Sequence, residues 1–239
     1  MSKNRSLKIF LIRHGKSIRN KLCHLPYLPD DEELFKKIGH IADRDTPLSE
    51  EGFLQAKETG IALCRRFCAP DYVFHSGYLR TIQTAEEIIS AYKKHQKEKI
   101  KILKDDSIRE RGVGYVYNMQ ESEARKLFPW IINYRELFSD FDFCPPGGES
   151  LVHVVDRVGN FIETLAKIPL GKTVFIVSHG RAIQCLMYIL LGRDFKAVFE
   201  HPQGPVKNCG VTLFEMDKKG LFVLKEYNKV FYEKNITRV

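Results

Sequence analysis

Two short apolar runs in this chain end in the same way, and together they restrict the fold more than any other feature. The first is Lys8-Ile9-Phe10-Leu11-Ile12, followed by Arg13-His14-Gly15. The second is Thr173-Val174-Phe175-Ile176-Val177-Ser178, followed by His179-Gly180. Each is rich in β-branched and aromatic residues, too short for a helix and closed by glycine. That is the pattern of a strand buried on both faces of a parallel sheet. Open α/β sheets bind ligands beyond the carboxyl ends of their strands. The two imidazoles, and the arginine beside the first, therefore fall where chemistry is done. A ring nitrogen can attack phosphorus and a guanidinium can hold its oxygens, so the pattern suits phosphoryl transfer.

A chain of 239 residues is long enough to bury a large core as one α/β domain over 1–239. Hydrophobic content of 44% with 28% charged residues excludes a disordered chain. The formal charge of +8 favours anionic partners, phosphate esters among them. Lys93, Lys94, Lys97, Lys99 and Lys101 cluster after a helix without interleaved aromatics, so no nucleic-acid partner is expected. The six cysteines form no C-x-x-C and no zinc spacing, so no metal is expected. They read as reduced thiols of a cytoplasmic protein, with Cys64 and Cys68 packed as small apolar groups on one helix face. The start is too short in apolar residues for a signal peptide, and the stretch 182–191 is too short to span a bilayer, so no membrane partner is expected.

Strands are predicted over 8–12, 71–75, 100–103 and 173–178, with a hairpin over 211–226. Helices are predicted near 17, over 50–68 behind the cap Ser49, over 78–94, 121–128, 129–138 and 150–168, and over 182–191. Residues 23–46 read as irregular, with a helical turn over 32–38. Strands alternating with helices give an α/β class: three layers, a mostly parallel sheet flanked by helices, with an antiparallel edge.

Several chemistry-bearing residues then follow strands at one sheet edge. Arg13 and His14 follow the first strand, and Ser76, Gly77 and Arg80 follow the second. Arg109 and Glu110 precede Gly112 and Gly114 after the third, and His179 follows the fourth. Singly, each has an ordinary structural explanation. A strand-end histidine is commonly a hydrogen-bonded structural residue, an arginine at a helix start commonly binds a carboxylate, and such a glutamate is commonly solvated. Convergence on one edge is what points to a site.

The same residues carry a resemblance. The segment from Arg13 to Asn20 is similar to the R-H-G-x-S/T-x-x-N signature of the histidine phosphatase superfamily, in its phosphoglycerate mutase-like branch. Asp43 to Gly52, Ser76 to Ala85, Arg109-Glu110, Gly147-Gly148-Glu149-Ser150 with Arg157, Ser178-His179-Gly180 and Asn208 follow in the family's order. The resemblance implies a phosphoglycerate mutase-like fold and a reaction through phosphohistidine on His14. It implies that Arg13, Arg80 and His179 are catalytic and bind the phosphoryl oxygens, with Asn20 and Gly180 adding contacts. Glu110 is implied as the proton donor to the leaving alkoxide, then as the base for water. It implies no cofactor and no metal, since the arginines and His179 supply the positive charge.

Two departures bear on function. The stretch 21–46 is longer than in compact mutases and reads either as a cover over the pocket or as a surface insertion. Mutases of this resemblance carry paired arginines for the substrate carboxylate, where this chain reads Asn133-Tyr134-Arg135-Glu136-Leu137. Glu136 would repel a carboxylate. The sequence therefore reads as a metal-independent phosphatase, a phosphoric monoester hydrolase of small phosphorylated molecules or of a phosphoprotein. A cofactor-dependent phosphoglycerate mutase is the first alternative. A catalytically idle module that binds a phosphorylated ligand is the second.

Overall fold

The structure, a computed structural model, describes residues 6–22, 27–130, 141–217 and 219–232. From the N-terminus come β1 (Lys8–Arg13), α1 (Ile18–Leu22), α2 (Glu32–Ile38), α3 (Glu50–Arg66), β2 (Tyr72–His75), α4 (Leu79–Ser90) and α5 (Lys94–Lys97). There follow β3 (Lys101–Lys104), α6 (Glu121–Leu127), α7 (Leu151–Ala166), β4 (Thr173–Ser178), α8 (Gly180–Leu190), α9 (Phe195–Phe199), β5 (Val211–Met216) and β6 (Phe222–Lys229). The strands form one six-stranded sheet in the order β3-β2-β4-β1-β5-β6. β1 to β4 are parallel to one another, and β5, antiparallel to β1, and β6 add the antiparallel edge.

The two central strands explain why the molecule is layered. Side chains alternate across a strand, so each apolar run feeds two cores. Ile9, Leu11, Val174 and Ile176 meet Val154, Val158 and Phe161 of α7 and Ile183 and Leu186 of α8. Phe10, Ile12, Phe175 and Val177 meet Leu63 of α3 and Ala85 and Ile88 of α4. Each of these is at most 3% exposed. Burial of one large apolar side chain contributes about 1.5–3 kcal/mol, so the central strands are the most costly to disturb.

The structure departs from the sequence reading at a few ends. The helix expected to run to 94 stops at Ser90, because Tyr92 turns into the core at 3% exposure and Lys93 is extended before α5. The helix expected to reach 68 stops at Arg66, leaving Cys68 exposed beyond it. The two cysteines therefore do not share a packed helix face. α9 was not anticipated, since five residues carry too little periodicity, although Asp194 caps it by accepting from Ala197 N. The expected helix over 129–138 falls, from 131 on, outside the described residues. Cys23 and the Asn133 to Leu137 segment lie outside them as well.

Residues 27–46 form α2 and a small apolar cluster in which Leu28 and Ile38 are buried against Ile18, Leu34, Phe35 and Ile41. Leu28 bridges to Gln120, and a 3-10 turn covers Asp43–Asp45. No described helix is long and apolar enough to cross a membrane.

The segment after β1 is clamped to the start of α3. Ser49 donates to Lys16 O through both its N–H and its hydroxyl, each at 2.8 Å, and Lys16 N donates to Gln55 Oε1 at 2.9 Å. Gly52 makes this possible: a Cβ there would lie 2.1 Å from Lys16 O. Gly52→Ala is expected to destabilise the fold by about 1–3 kcal/mol or more, as an overpacked site does. Urea unfolding measures it, and a midpoint equal to that of the parent would contradict the clamp.

Candidate active site

The site begins with strand register. In the parallel pair of β1 and β4, Arg13 lies opposite Ser178. The ladder continues one step, with His14 N donating to Ser178 O at 2.9 Å. His14 and His179 are thereby set beside each other, ring centroids 5.1 Å apart. β2 ends with His75 opposite Val177, which brings Ser76 within 2.8 Å of His179 Nε2. Arg80, in the first turn of α4, reaches back so that its Nε donates to His14 Nε2 at 3.3 Å.

These contacts fix the tautomer of His14. Its Nδ1 lies 2.7 Å from Gly15 O, which can only accept. Arg80 Nε–H can only donate. The proton is thus on Nδ1, and Nε2 presents a lone pair. Burial, reinforced by the charges of Arg80 and Arg13, holds the His14 imidazole well below its ordinary 6.5. His179 is likewise well below 6.5, from burial and then from Arg80, His14 and Arg13. Both rings are therefore neutral near pH 7.

Two buried polar atoms in this cluster, Arg13 Nε and His179 Nδ1, have no hydrogen-bond partner among the described residues. Buried polar groups are nearly always satisfied, so such a pair marks a place built for a polar ligand. Arg13 is otherwise anchored by Nη1, which donates to Val206 O at 2.6 Å.

Glu110 stands across the cavity on a loop braced by Glu149 and Arg157. Arg157 donates to both Glu149 oxygens, at 2.9 and 3.0 Å, and to the carbonyls of Ser107, Arg109 and Glu110 at 2.6, 2.9 and 3.0 Å. Burial pushes the Glu149 carboxyl up, but hydrogen bonds from Arg157 and Gly112 and the charges of Arg157 and Arg109 more than reverse this. It sits below the usual carboxylate range. Glu110 itself is held by one oxygen: Oε1 accepts from Arg111 N at 2.9 Å and from Arg181 N at 3.3 Å.

Asp43 grips the far edge of Arg80. Its carboxylate lies 3.0 Å from Nη2, and its carbonyl accepts from Nη1 at 2.5 Å. The guanidinium edge that includes Nε is left facing His14. Asp43 thus braces an arginine. Arg13, His14, Asp43, Arg80 and Glu110 line a cavity of about 370 Å³, with Arg19, Asn20, Arg111, Tyr117 and Arg181 also in its wall.

A profile of the histidine phosphatase superfamily, branch 1, matches residues 9–230. The chain belongs to this superfamily. It is 29% identical over 192 residues to the 2,3-bisphosphoglycerate-dependent phosphoglycerate mutase of Mesorhizobium japonicum, covering 79% of this chain and 84% of that one. It is 27% identical over 224 residues to phosphoserine phosphatase 1 of Hydrogenobacter thermophilus, covering 92% and 91%. The fold matches that of a mycobacterial glucosyl-3-phosphoglycerate phosphatase with a TM-score of 0.66 at 23% identity, over 92% of this chain and 98% of that one. Mutases and phosphatases both occur among these relatives, which supports an enzyme acting on phosphate compounds.

Of the residues singled out from sequence, the fold brings Arg13, His14, Asn20, Arg80 and Glu110 to one cavity, with His179 buried against His14. Asn20 Oδ1 lies 3.4 Å from Ser17 N and 3.5 Å from Asn208 Nδ2, which also donates to His14 O. Gly180 lies beside Arg13 and Glu110. Sequence reasoning gave no role to Arg19, Arg111, Tyr117, Arg181 or the brace at Glu149. Arg19 was visible inside the first motif, but only the fold lays its guanidinium 3.8 Å over the Tyr117 ring. Burial and the Asp43 charge push that tyrosine up to about 12.

Both imidazoles titrate lower in the folded chain than the ordinary 6.5, so the unfolded chain binds more protons. Their contribution to stability is complete above about pH 6.5 and is lost as pH falls below it. Unfolding midpoints between pH 7.5 and 5.5 should therefore drop, and less so in His14→Gln. An equal drop in both proteins would contradict this. Arg157→Leu removes two hydrogen bonds to Glu149, which keeps Arg109 and Gly112 N, and strips three carbonyls of their donor, so it should cost about 1.5–3 kcal/mol in urea unfolding. A loss below about 1 kcal/mol, the weight of a surface pair, would show that the brace is dispensable.

Proposed function

We propose that the chain is a metal-independent phosphatase that hydrolyses phosphate monoesters through a phosphohistidine on His14. The observation that carries this reading is the lone pair of His14 Nε2, fixed by Gly15 O and Arg80 Nε beside the unpartnered Arg13 Nε and His179 Nδ1. The nitrogen attacks phosphorus as the ester P–O bond breaks, and the electron pair leaves with the alkoxide oxygen. Glu110 gives that oxygen its proton. Water then attacks phosphorus while Glu110 takes a proton from it, and the N–P bond breaks to release inorganic phosphate and restore His14.

The hydrogen bonds around His179 support its part. Thr81 spends its hydroxyl proton on Tyr78 O at 2.7 Å, so Ser76 has one proton to give, to Thr81 or to His179 Nε2. Giving it to Nε2 places the ring proton on Nδ1, the unpartnered atom, as a donor to a phosphoryl oxygen. Arg13 and Arg80 supply charge that is oriented beforehand.

Mutase activity is the second reading, favoured by the named relatives. Against it, the cavity's other guanidiniums already have protein partners. Arg19 donates to Tyr117 O, Arg111 to Glu149 O and Phe143 O, and Arg181 to Gln184. A second anionic group on a substrate would have to compete with each of them. Glu136 agrees in sense from sequence alone.

Brief exposure to a labelled ester should leave acid-labile phosphate on the wild type and none on His14→Ala, and turnover should survive EDTA. Label on His14→Ala would remove the assignment. Glu110→Gln should slow alkyl esters at least about tenfold more than p-nitrophenyl phosphate, whose leaving group needs no proton. Equal slowing of both would reduce Glu110 to a binding or structural residue. Rapid isomerisation of a monophosphoglycerate with negligible phosphate release would favour the mutase.

A further inference from the structure

A second cavity adjoins the first, of about 470 Å³, and shares Arg13, Glu110 and Arg181 with it. The geometry of Glu110 says what it is for. Phosphoryl transfer runs with nucleophile and leaving oxygen roughly in line through phosphorus. With His14 on one side, the leaving oxygen must meet the proton donor on the other. Glu110 Oε1 is occupied by the N–H groups of Arg111 and Arg181, which leaves Oε2 for the proton. Oε2 lies beside Gly180, where an added Cβ would be 3.9 Å from it and 3.7 Å from Arg13 Nε. Gly180 lines the second cavity and is not in the wall of the first. The alcohol therefore departs toward the second cavity.

The walls there describe the alcohol. Phe199, Pro205 and Val206 offer flat apolar surface, and His201 is fixed by its ring lying 3.8 Å from that of Tyr227. Gln184 and the carboxylate of Glu200 offer hydrogen-bonding groups. Apart from the shared Arg13 and Arg181, the described lining residues include no lysine or arginine, whereas Glu200 is an anion. Such walls suit a ring-sized alcohol with hydroxyls to donate, and the Glu200 charge disfavours a carboxylate or a second phosphate placed beside it.

We propose that the second cavity is the subsite for the leaving alcohol, and that it selects monophosphates of neutral polyhydroxylated rings, such as sugars, over phosphorylated acids. This rests on the phosphohistidine reading above. The volume agrees, since a three-carbon acid fills a small part of either cavity.

Steady-state kinetics with ribose 5-phosphate, glucose 6-phosphate and 3-phosphoglycerate test the proposal, using the wild type, Glu200→Gln and Glu200→Lys. Residue 200 is exposed at the end of α9, so these changes spare the core. The wild type should prefer the sugar phosphates by about tenfold or more in kcat/KM. Glu200→Lys should shift that ratio toward 3-phosphoglycerate by about tenfold, mainly through KM, as reversal of one charge facing a ligand does. Glu200→Gln should fall between. A wild-type preference for 3-phosphoglycerate, or a ratio that moves less than about twofold in Glu200→Lys, overturns the proposal. The parent reading is checked separately by phosphate release from p-nitrophenyl phosphate and by label on His14. Failure of both defeats that reading, while their success with an unmoved ratio defeats the subsite alone.

Discussion

Everything in the site hangs on the pairing of β1 with β4. The parallel register that sets Arg13 opposite Ser178 also sets the next residues, His14 and His179, at one edge of the sheet. A slip of one residue would send each apolar run to the wrong core and each imidazole to the wrong place. Catalytic geometry and core packing are thus one constraint. The side chains that lock the register, Phe10, Ile12, Phe175 and Val177 on one face and Ile9, Leu11, Val174 and Ile176 on the other, are each at most 1% exposed.

The cluster beyond that edge is electrostatically demanding. Two guanidiniums and two imidazoles share a buried space, and the imidazoles respond by staying neutral. Asp43 sits against Arg80, with a quarter or so of its side chain exposed at 28%. Glu149 performs a similar service for Arg157 and Arg109. Asp43 lines the cavity but takes only the Nη atoms of Arg80, so the Nε edge stays turned toward His14. An anionic phosphoryl group meets donors whose orientation is already set, which is how preorganised sites lower barriers.

Legibility from sequence followed the strength of local pattern. The strands over 8–12 and 173–178 were plain because both faces are buried, and the Ser49 cap was plain because its side chain satisfies an orphan N–H of α3. Helix ends were less plain. α4 stops at Ser90 because Tyr92 finds a place in the core, a tertiary preference that no local periodicity announces. α9 has too few residues to show a period at all.

His14, Arg80, Glu110 and His179 were legible as chemistry because each follows a strand or opens a helix at the same sheet edge. The resemblance to the histidine phosphatases came from those same residues, in order. Sequence alone determined which residue types reach that edge, and so the class of chemistry. Tertiary structure decided the rest. It put the lone pair of His14 on Nε2, set Asp43 against Arg80, tied Arg157 to three carbonyls under Glu110 and turned Glu110 Oε2 toward Gly180. These depend on angstrom-scale contacts between segments as far apart in the chain as Glu110 and Gly180. Local sequence sets a residue's backbone state and the face it presents. Its partner across the core is set by how whole layers pack.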